Sequence, residues 1–460
     1  MASVATADER PRFSLGYRRW MLGLLIAVYA CSFIDRTVLS TVGQAIKVDL
    51  KLTDTEFGLL TGAAFALFYT GFGVPIGRLA ERFNRTTIIA VCIALWSVMT
   101  MLSGTAGGYL QLLLYRMGVG VGEGGCSPAA HSLLSDHYPP KQRGAALALY
   151  SVGVPLGLMF GAIAGGWLAQ TFNWRTAFLV VGAPGLVLAV LARLTLREPP
   201  RGFADGRAPP AETPPLSAVV KRLFSTHTFR HAAAGCVMTN LAASGIGQFA
   251  ASYFVRGFGL NFLQAGLLYG LVTGAAGTIG MLSGGYGADA AGQRDERWRV
   301  WLPAIGAALA LPAFLTAYTR TDPYLAAGII FFGCICYSFY FAPTFALAQN
   351  LVEPRMRGTA SALMFLLINV FGGGLGPTLL GMVSDVMAQR AFSLGHFAST
   401  CPGGVAPHGS AAALVHACRA ASASGLKQAI LISALFFGWG ALHYLLASRT
   451  IRRDLASASA

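Results

Sequence analysis

The chain has 460 residues, of which 55% are hydrophobic and only 12% are charged, about half of the roughly 25% that is usual in soluble domains. This composition excludes an ordinary soluble enzyme, a disordered chain and a fibrous protein. Lys and Arg outnumber Asp and Glu by 34 to 19, which gives a net charge of +15. Such an excess indicates either a nucleic-acid-binding protein or cationic loops beside a membrane. The positions of the basic residues along the chain distinguish these two classes.

Twelve apolar stretches are long enough to cross a bilayer, whose hydrocarbon core of about 30 Å needs roughly 20 helical residues. Open sheets cannot span lipid, and the alternating pattern of a β-barrel is missing from the sequence. The sequence therefore predicts an all-α membrane protein with twelve transmembrane helices. Their approximate bounds are 20–45, 57–80, 87–106, 109–136, 145–171, 175–194, 231–257, 262–288, 299–318, 323–350, 359–388 and 426–447.

The distribution of basic residues predicts the orientation of these helices. If the N-terminus is placed in the cytoplasm and the spans alternate, most of the 34 basic residues fall on the cytoplasmic side. This positive-inside pattern predicts a multi-pass plasma membrane protein, in the inner membrane of a bacterium, with both termini cytoplasmic. A nucleic-acid-binding protein would cluster its basic residues on one binding fold, and the sequence has no such cluster.

The chain reads as a duplication of a six-helix unit. Residues 195–228 form a polar segment with six prolines, which predicts a cytoplasmic linker. It separates an N-terminal six-helix bundle, residues 1–194, from a C-terminal bundle, residues 229–460, which carries an extracytoplasmic loop near 390–425. Two loop motifs recur at matching places in the two halves, because 77–85 is echoed at 285–294 and 140–143 at 354–357. Parallel halves of this kind are a known transporter plan, with the substrate site between them near the bilayer midplane.

The loop after the second span carries a resemblance to a known family. The segment from Gly77 to Arg85 resembles the major facilitator superfamily signature G-x-L-A-D-R-x-G-R-K/R, with Glu81, Asn84 and Thr86 as departures. Arg116-x-x-x-Gly120-x-Gly122 and Gly153-Val-Pro155-Leu-Gly157 resemble two further signatures of that superfamily. The resemblance implies the major facilitator fold, in which helices one, four, seven and ten line a central cavity.

A narrower resemblance is to the Spinster branch. Phe33-Ile-Asp35-Arg36 resembles its intramembrane Asp-Arg pair, and the stretch from Gly120 to Pro140 resembles its fourth-helix signature. This branch implies export of lysophospholipids or sphingolipid phosphates, with proton coupling proposed for bacterial members. Related solute:proton symporters also carry Asp-Arg in helix one, so another transporter of the superfamily remains an alternative.

Only four charged residues lie well inside the predicted spans: Asp35 and Arg36 on helix one, and Arg116 and Glu123 on helix four. Each costs about 3 kcal/mol or more in lipid unless it is paired or hydrated. Their charges cancel, so two permanent ion pairs within the N-terminal half are the structural alternative. Buried ion pairs rarely stabilise a fold more than apolar residues do, and this favours a functional role.

The chemistry of these residues suggests distinct roles. A neighbouring arginine lowers the pKa of a carboxyl group, and dehydration away from the cation raises it. We therefore predict Asp35, and Glu123 as the second candidate, as proton carriers. Arg36 and Arg116, with Glu123 beside them, are predicted to hold the headgroup, because the guanidinium forks of the two arginines donate paired hydrogen bonds to phosphate. Candidates for the substrate tail or the cavity wall on helices seven and ten are Asn240, Phe249, Tyr253, Tyr337 and Tyr340.

By the same resemblance, charges at the loop motifs are expected to close the cytoplasmic side. An acidic group that meets a helix N-terminus gains about 0.3–1 kcal/mol. The alternative is that these charges only satisfy the positive-inside pattern. The predicted gating residues are Gly77, Glu81, Arg82, Arg85, Asp136, Arg143, Asp289 and Arg357.

The remaining signals bear on cofactors and partners. Cys401 and Cys418 lie in the loop predicted to be extracytoplasmic, where a disulfide is compatible with an oxidising compartment, and the sequence leaves this pairing open. The sequence has no zinc-ligand spacing, no P-loop and no catalytic constellation. We therefore expect no enzyme activity, no cofactor, no metal and no nucleic-acid partner, and a membrane-embedded monomer driven by a proton gradient.

The sequence thus predicts a secondary active transporter that moves an amphipathic lysophospholipid or sphingolipid-like substrate by alternating access, coupled to protons. The alternatives within the superfamily are an organic-anion:proton symporter and a multidrug:proton antiporter. A substrate receptor or a membrane-embedded enzyme is the alternative from another class, and the missing catalytic constellation argues against it.

Overall fold

The computed structural model describes residues 13–201, 203 and 215–459. Residues 1–12, 202, 204–214 and 460 lie outside the described part, and so does the middle of the predicted linker 195–228. All regular elements in the described residues are helical, which confirms the all-α prediction. The boundaries predicted for the two bundles and the linker stay predictions.

Twelve long helical segments run through the described residues. They are α1 Leu15–Thr41, α2 Asp54–Arg82, α3 Arg85–Ser103, α4 Tyr109–His137, α5 Gln142–Thr171, α6 Trp174–Thr195, α7 His227–Phe258, α8 Phe262–Gly292, α9 Trp298–Ala317, α10 Pro323–Asn350, α11 Arg357–Ala391 and α12 Ala412–Ala447. Ten of them are long and apolar enough to cross a membrane, counted over the described residues. The other two, α4 and α7, have 29 and 32 residues but are more polar. Short helices at Gly43–Leu50, Leu216–Ser225 and Ile451–Ser459 flank them.

The predicted spans agree with these helices to within a few residues, except at α12. This helix begins at Ala412 rather than near residue 426. Its first turns contain His416 and Arg419, which hid them from a search for apolar stretches. They are helical because Cys418 and Ala421 pack in a buried cluster with Phe392 and Phe397 outside the apolar span.

Successive long helices run in opposite directions, so the bundle has two distinct ends. The terminal end holds residue 13 and the C-terminal helix, and there the Tyr138 hydroxyl donates to the Arg18 carbonyl at 3.0 Å. The loop end holds residues 392–411, which connect α11 to α12. Cys401 and Cys418 form a disulfide at this end, with their Cα atoms 5.7 Å apart. The structure therefore shows that the two cysteines, whose pairing the sequence left open, form a disulfide.

Helices α1–α6, the N-half, pack against helices α7–α12, the C-half, closely at the loop end. There α5 crosses α8, and a Cβ atom on Gly266 would lie 3.2 Å from the Gly166 Cα. The Phe57 ring on α2 meets the Phe249 ring on α7 edge to face, with centroids 5.3 Å apart. Both rings are fully buried. The loop end of the bundle is therefore closed between the two halves.

The contact at Gly266 leads to a first prediction. A Gly266→Val substitution is expected to destabilise this closed packing by about 1–3 kcal/mol, because the added carbons enter a filled contact. Thermal unfolding of the purified protein measures the loss. Gly277→Val is the matched control, because it lies on the same helix and its Cβ would meet nothing within 4 Å. Equal losses of thermal stability in the two variants would contradict the close packing of α8 on α5.

Candidate functional site

The four charged residues predicted inside spans lie where α1 and α4 face each other. Asp35 is fully buried, and Arg116 and Glu123 are each only 2% exposed. The ring of Phe65 on α2 connects the two arginines, since it lies 4.6 Å from the Arg36 guanidinium carbon and 5.7 Å from that of Arg116. The structure thus gathers the predicted charges into one buried site in the N-half, which we call the α1–α4 site.

One ion pair forms in this site rather than the two that the sequence suggested. The Arg36 Nε donates to the Glu123 Oε2 at 2.5 Å. The Arg36 side chain is 22% exposed and that of Glu123 only 1%. Among the described residues, neither Asp35 nor Arg116 makes an ion pair. The site therefore contains one ion pair and two ionisable groups, Asp35 and Arg116, that are not in an ion pair.

The Asp35 carboxyl group is held by a single hydroxyl group. Its Oδ2 accepts from the Thr100 Oγ1 on α3 at 3.0 Å. Its Oδ1 is buried and has no hydrogen-bond partner among the described residues. An ionised carboxylate that has left water needs a cation or several donors. The unpartnered Oδ1 is thus a position in this site that can accept a proton.

The Arg36 guanidinium lies in a cage of three aromatic rings. Its central carbon is 4.9 Å from the Phe33 ring, 4.6 Å from the Phe65 ring and 4.7 Å from the Tyr69 ring. Cation–π contacts of this kind stabilise a positive charge that has lost water. Phe65 and Tyr69 were not predicted from the sequence. Their spacing of four on α2 was the available signal, because it places both rings on one helix face.

Arg116 and Glu123 keep unused hydrogen-bonding atoms. The Arg116 Nε and Nη1 and the Glu123 Oε1 are buried and have no hydrogen-bond partner among the described residues. Buried polar groups are almost always paired in native structures, and an unpaired group needs an explanation. Two guanidinium donors directed into the interior are suited to an anionic group that arrives from outside the chain.

The polar C-half candidates lie close to one another on α7 and α10. The Asn240 Nδ2 donates to the Tyr340 hydroxyl at 3.0 Å. The Asn240 Oδ1 is buried without a partner among the described residues. Tyr337 is half-buried and stacks on Phe437 with centroids 5.5 Å apart. Asn240 thus keeps one free acceptor, whereas Tyr337 is engaged in packing.

Phe249 and Tyr253, predicted to contact the substrate tail or line the cavity, are instead packed in the closed loop end. Phe249 is fully buried against Phe57 in the closed loop end. Tyr253 is 4% exposed, and its hydroxyl donates to the Tyr318 carbonyl at 3.2 Å. Both lie near the loop end of α7, where the helix packs on neighbours rather than on open space, so neither lines a cavity in this structure.

Four of the predicted gating residues, Gly77, Arg85, Asp136 and Arg143, have partners within the N-half. The buried Arg85 pairs with Asp136, and its Nε donates to the Glu198 Oε1 at 2.6 Å. The Arg143 Nη2 donates to the Ser135 carbonyl at 2.8 Å. A Cβ atom on Gly77 would lie 3.6 Å from the Pro128 Cβ, so α2 passes close to α4 here.

The other predicted gating residues are exposed at the terminal end. Glu81 and Arg82 on α2, Asp289 on α8 and Arg357 on α11 are all exposed. Among the described residues none of these four forms an ion pair. In this conformation they therefore make no charged contact across the two halves.

A charged contact across the halves is instead found at the loop end. Asp54 begins α2, and its carboxylate accepts two hydrogen bonds from Arg256 on α7, at 2.9 and 2.8 Å. Lys47, on the short helix before α2, pairs with the same carboxylate. The Asp54 and Arg256 side chains are each 4% exposed and that of Lys47 is 3% exposed. We call Lys47, Asp54 and Arg256 the loop-end ion pairs.

Two residues of α11 complete this contact. The Ser384 hydroxyl donates to the Asp54 carboxylate at 2.6 Å. The Asp385 carboxylate accepts from the backbone N–H groups of Asp54 and Thr55 at 2.9 and 2.8 Å, so a C-half side chain caps an N-half helix. These contacts were not predicted from the sequence, because polar and charged residues at the ends of spans resemble ordinary loop residues.

The chain is similar in sequence to known membrane proteins. A sequence model described as Major Facilitator Superfamily matches residues 25–377. An MFS-type efflux pump of Mycolicibacterium smegmatis is 34% identical over 374 residues, which cover 81% of this chain and 86% of that protein. Protein spinster homolog 1 of Xenopus tropicalis is 26% identical over 390 residues, which cover 81% of this chain and 74% of that protein.

A solved structure is similar along almost the whole chain. It is a bacterial homologue of the human lysosomal transporter Spinster, in an inward-facing and unoccupied conformation. The TM-score is 0.87 at 32% identity, over 96% of this chain and 99% of that one. These similarities confirm the resemblance indicated by the loop signature and by the Asp35-Arg36 pair. The matched proteins are transporters, which confirms the expectation that the chain is not an enzyme.

Proposed function

Because the chain belongs to the Major Facilitator Superfamily, we propose that it carries an amphipathic lysophospholipid or sphingolipid-like substrate by alternating access, coupled to protons. The observation that carries this proposal is the α1–α4 site. It combines a caged Arg36 paired with Glu123, an Arg116 with two unused donors and an isolated Asp35. Charged residues inside membrane helices mark substrate and proton pathways.

The headgroup is proposed to bind at the two arginines. The Arg116 Nε and Nη1 are free donors among the described residues, and a phosphate oxygen fits them as a paired acceptor. Arg36 is 22% exposed and can add a second cationic contact. Glu123 stays close enough to neutralise part of this charge when no substrate is bound.

The apolar tail is proposed to lie on the C-half. There the rings of Phe341, Phe345 and Phe365 form a cluster on α10 and α11, with centroid distances of 4.8 and 4.6 Å between neighbours. Phe365 is 47% exposed, so part of the cluster is open to an apolar chain. A charged N-half opposite an aromatic C-half matches a substrate that has one polar end.

Protons are proposed to act through Asp35. In the unprotonated state, Asp35 competes with Glu123 for the adjacent Arg36, because a carboxylate without a cation is costly in this environment. A proton on Asp35 removes that competition and leaves the Arg36–Glu123 pair seen here. Binding and release of the proton would thereby change the charge that the substrate headgroup meets.

The direction of opening follows from the two ends of the bundle. The terminal end is proposed to face the cytoplasm of a bacterium, with the chain in the inner membrane, because the positive-inside pattern predicts this orientation. The closed loop end and the exposed Glu81, Arg82 and Asp289 then correspond to an inward-facing state. In the opposite state we expect the loop-end ion pairs to separate and these exposed residues to form contacts between the halves. The transporter is proposed to act as a monomer.

A transport experiment tests the proposal. The purified chain is placed in proteoliposomes, with and without a pH gradient, and presented with a labelled lysophospholipid or with small carboxylates. We expect saturable, gradient-dependent transport of the lysophospholipid. Arg116→Gln should weaken it about ten- to hundredfold, because bonds to a charged group contribute about 1.5–3 kcal/mol. Arg193→Gln is the matched control, since Arg193 is exposed on α6 at the terminal end, outside the loop motifs.

Two results would overturn the substrate assignment. Saturable uptake of small carboxylates without competition by lysophospholipid would favour an organic-anion:proton symporter. Proton-driven export of unrelated cationic dyes would favour a multidrug:proton antiporter. The 34% identity to an MFS-type efflux pump over 374 residues is the observation that supports the second alternative.

A further inference from the structure

A cavity lies at the loop end, separate from the α1–α4 site. Its volume is about 420 Å³, within the range of about 300–1,000 Å³ that is usual for small-molecule sites. The N-half contributes residues 47 and 51–53, and the C-half contributes residues from α11 and from the loop that follows it. We call it the loop-end cavity. Its walls come from both halves, directly beside the loop-end ion pairs.

The inner walls of the loop-end cavity are mainly apolar. Leu52 lines one side, and Val386, Phe397 and Ala398 line the other. Leu52 is 2% exposed and Phe397 is 8% exposed, so these two side chains are anchored in the fold. Apolar walls of this kind favour a ligand with a short hydrocarbon part.

The polar groups at the cavity are mostly cationic or donors. Lys51, Arg390 and His396 line it and are exposed. Among the described residues, none of these three side chains makes a hydrogen bond or an ion pair. The other two charged residues of the lining already have partners, because Asp385 accepts from the backbone at the start of α2 and Lys47 pairs with Asp54. An anion would therefore find unopposed partners on two sides of the cavity.

The backbone conformation at Lys51 is explained by the end of a helix. Lys51 has φ of 55° and is the only non-glycine residue with positive φ in the described residues. It caps the short helix Gly43–Leu50, and its backbone N–H donates to the Lys47 carbonyl. Helices commonly end on a residue in this left-handed conformation, which is usually glycine. Lys51 therefore stands at a helix end beside the cavity, where glycine is a suitable substitution.

We propose that the loop-end cavity binds an amphipathic anion, with a phosphate or carboxylate head at Lys51 and Arg390 and a short acyl chain between the apolar walls. Lys51 belongs to the N-half and Arg390 to the C-half, so the bound anion holds the two halves together. It therefore favours the conformation that is closed at the loop end. The loop-end cavity is separate from the α1–α4 site, and the bound anion regulates opening of the loop end.

The test uses the full chain in lipid nanodiscs and octyl phosphate as the probe, with binding measured by calorimetry. Inorganic phosphate and octanol are the comparison ligands. The double variant Lys51→Gly, Arg390→Ala is expected to weaken octyl phosphate binding about tenfold or more, because two charge-assisted contacts are lost. Glycine suits the positive φ at position 51, so the variant keeps its fold. Arg320→Ala is the matched control, since Arg320 is exposed at the loop end outside the cavity.

The outcomes separate this proposal from the proposed function. Tighter binding of octyl phosphate than of either comparison ligand, lost in the double variant and kept in Arg320→Ala, supports the site. Equal binding of inorganic phosphate shows that the walls do not contribute and overturns it, as does equal binding of octanol. Binding that survives the double variant and is lost in Arg116→Gln assigns the anion to the α1–α4 site, which also overturns the proposal. None of these results depends on which substrate is transported.

Discussion

Replacing Asp35 with asparagine is expected to abolish proton-driven transport while leaving the fold and substrate exchange intact. Asparagine has nearly the same shape and its side-chain oxygen can still accept from the Thr100 hydroxyl, which now lies 3.0 Å from the Asp35 Oδ2. It cannot take up or release a proton in the physiological range. Uptake driven by a pH gradient should therefore fall to background, whereas exchange of labelled for unlabelled substrate without a gradient continues.

A set of neighbouring variants makes the Asp35 assignment specific. Thr100→Val removes the hydroxyl and keeps the carboxyl group, so transport should persist with a changed pH profile. Glu123→Gln removes the partner of Arg36 and should weaken substrate binding first. If Asp35→Asn keeps full proton-driven transport and Glu123→Gln loses it, the proton carrier is Glu123 and the Asp35 assignment is wrong.

Replacing Asp54 with alanine is expected to destabilise the closed loop end by about 3–5 kcal/mol, the usual result of removing one member of a buried ion pair. The change leaves Arg256 and Lys47 without their shared carboxylate, although their side chains are only 4% and 3% exposed. Repulsion between the two cations should open the loop end. Spin labels at exposed positions 107 and 320, one in each half, should report a longer distance, and the midpoint of thermal unfolding should fall.

Asp49 provides the matched control for this experiment. It also forms an ion pair near the loop end, with Arg175, but these side chains are 45% and 38% exposed. Exposed pairs contribute about 0–1 kcal/mol, and Asp49 also accepts from the Trp174 Nε1 at 3.1 Å. Asp49→Ala should therefore leave the label distance unchanged and lower the unfolding midpoint much less than Asp54→Ala. A loss in Asp49→Ala as large as that in Asp54→Ala would show that burial of the loop-end ion pairs is unimportant.

Most bounds of the long helices could be predicted from the sequence alone. Their bounds were predictable because a bilayer of fixed thickness demands about 20 apolar residues per span. The start of α12 was the exception, since residues 412–425 are helical through packing on the disulfide-closed loop rather than through lipid contact. Helices α4 and α7 are less apolar than the other ten. Both contribute polar residues to the candidate site, since α4 carries Arg116 and Glu123 and α7 carries Asn240.

The members of the candidate site were also predictable, but their contacts were not. A charge inside a span is costly wherever it points, so Asp35, Arg36, Arg116 and Glu123 stand out in the sequence. Which acid meets which arginine depends on the rotation of α1 and α4 about their axes, and that rotation is set by packing against other helices. The sequence therefore did not reveal that Arg36 selects Glu123 over the adjacent Asp35.

The sequence by itself determined the membrane class, the number of spans and the four buried charges, because each follows from the free energy of placing one residue or one segment in lipid. Only the tertiary structure decided the aromatic cage of Arg36, the loop-end ion pairs and the Cys401–Cys418 disulfide. Each of these joins side chains from separate helices or loops, such as Asp54 with Arg256. Contacts of this kind depend on how helices distant in sequence pack together, which composition and spacing along the chain do not specify.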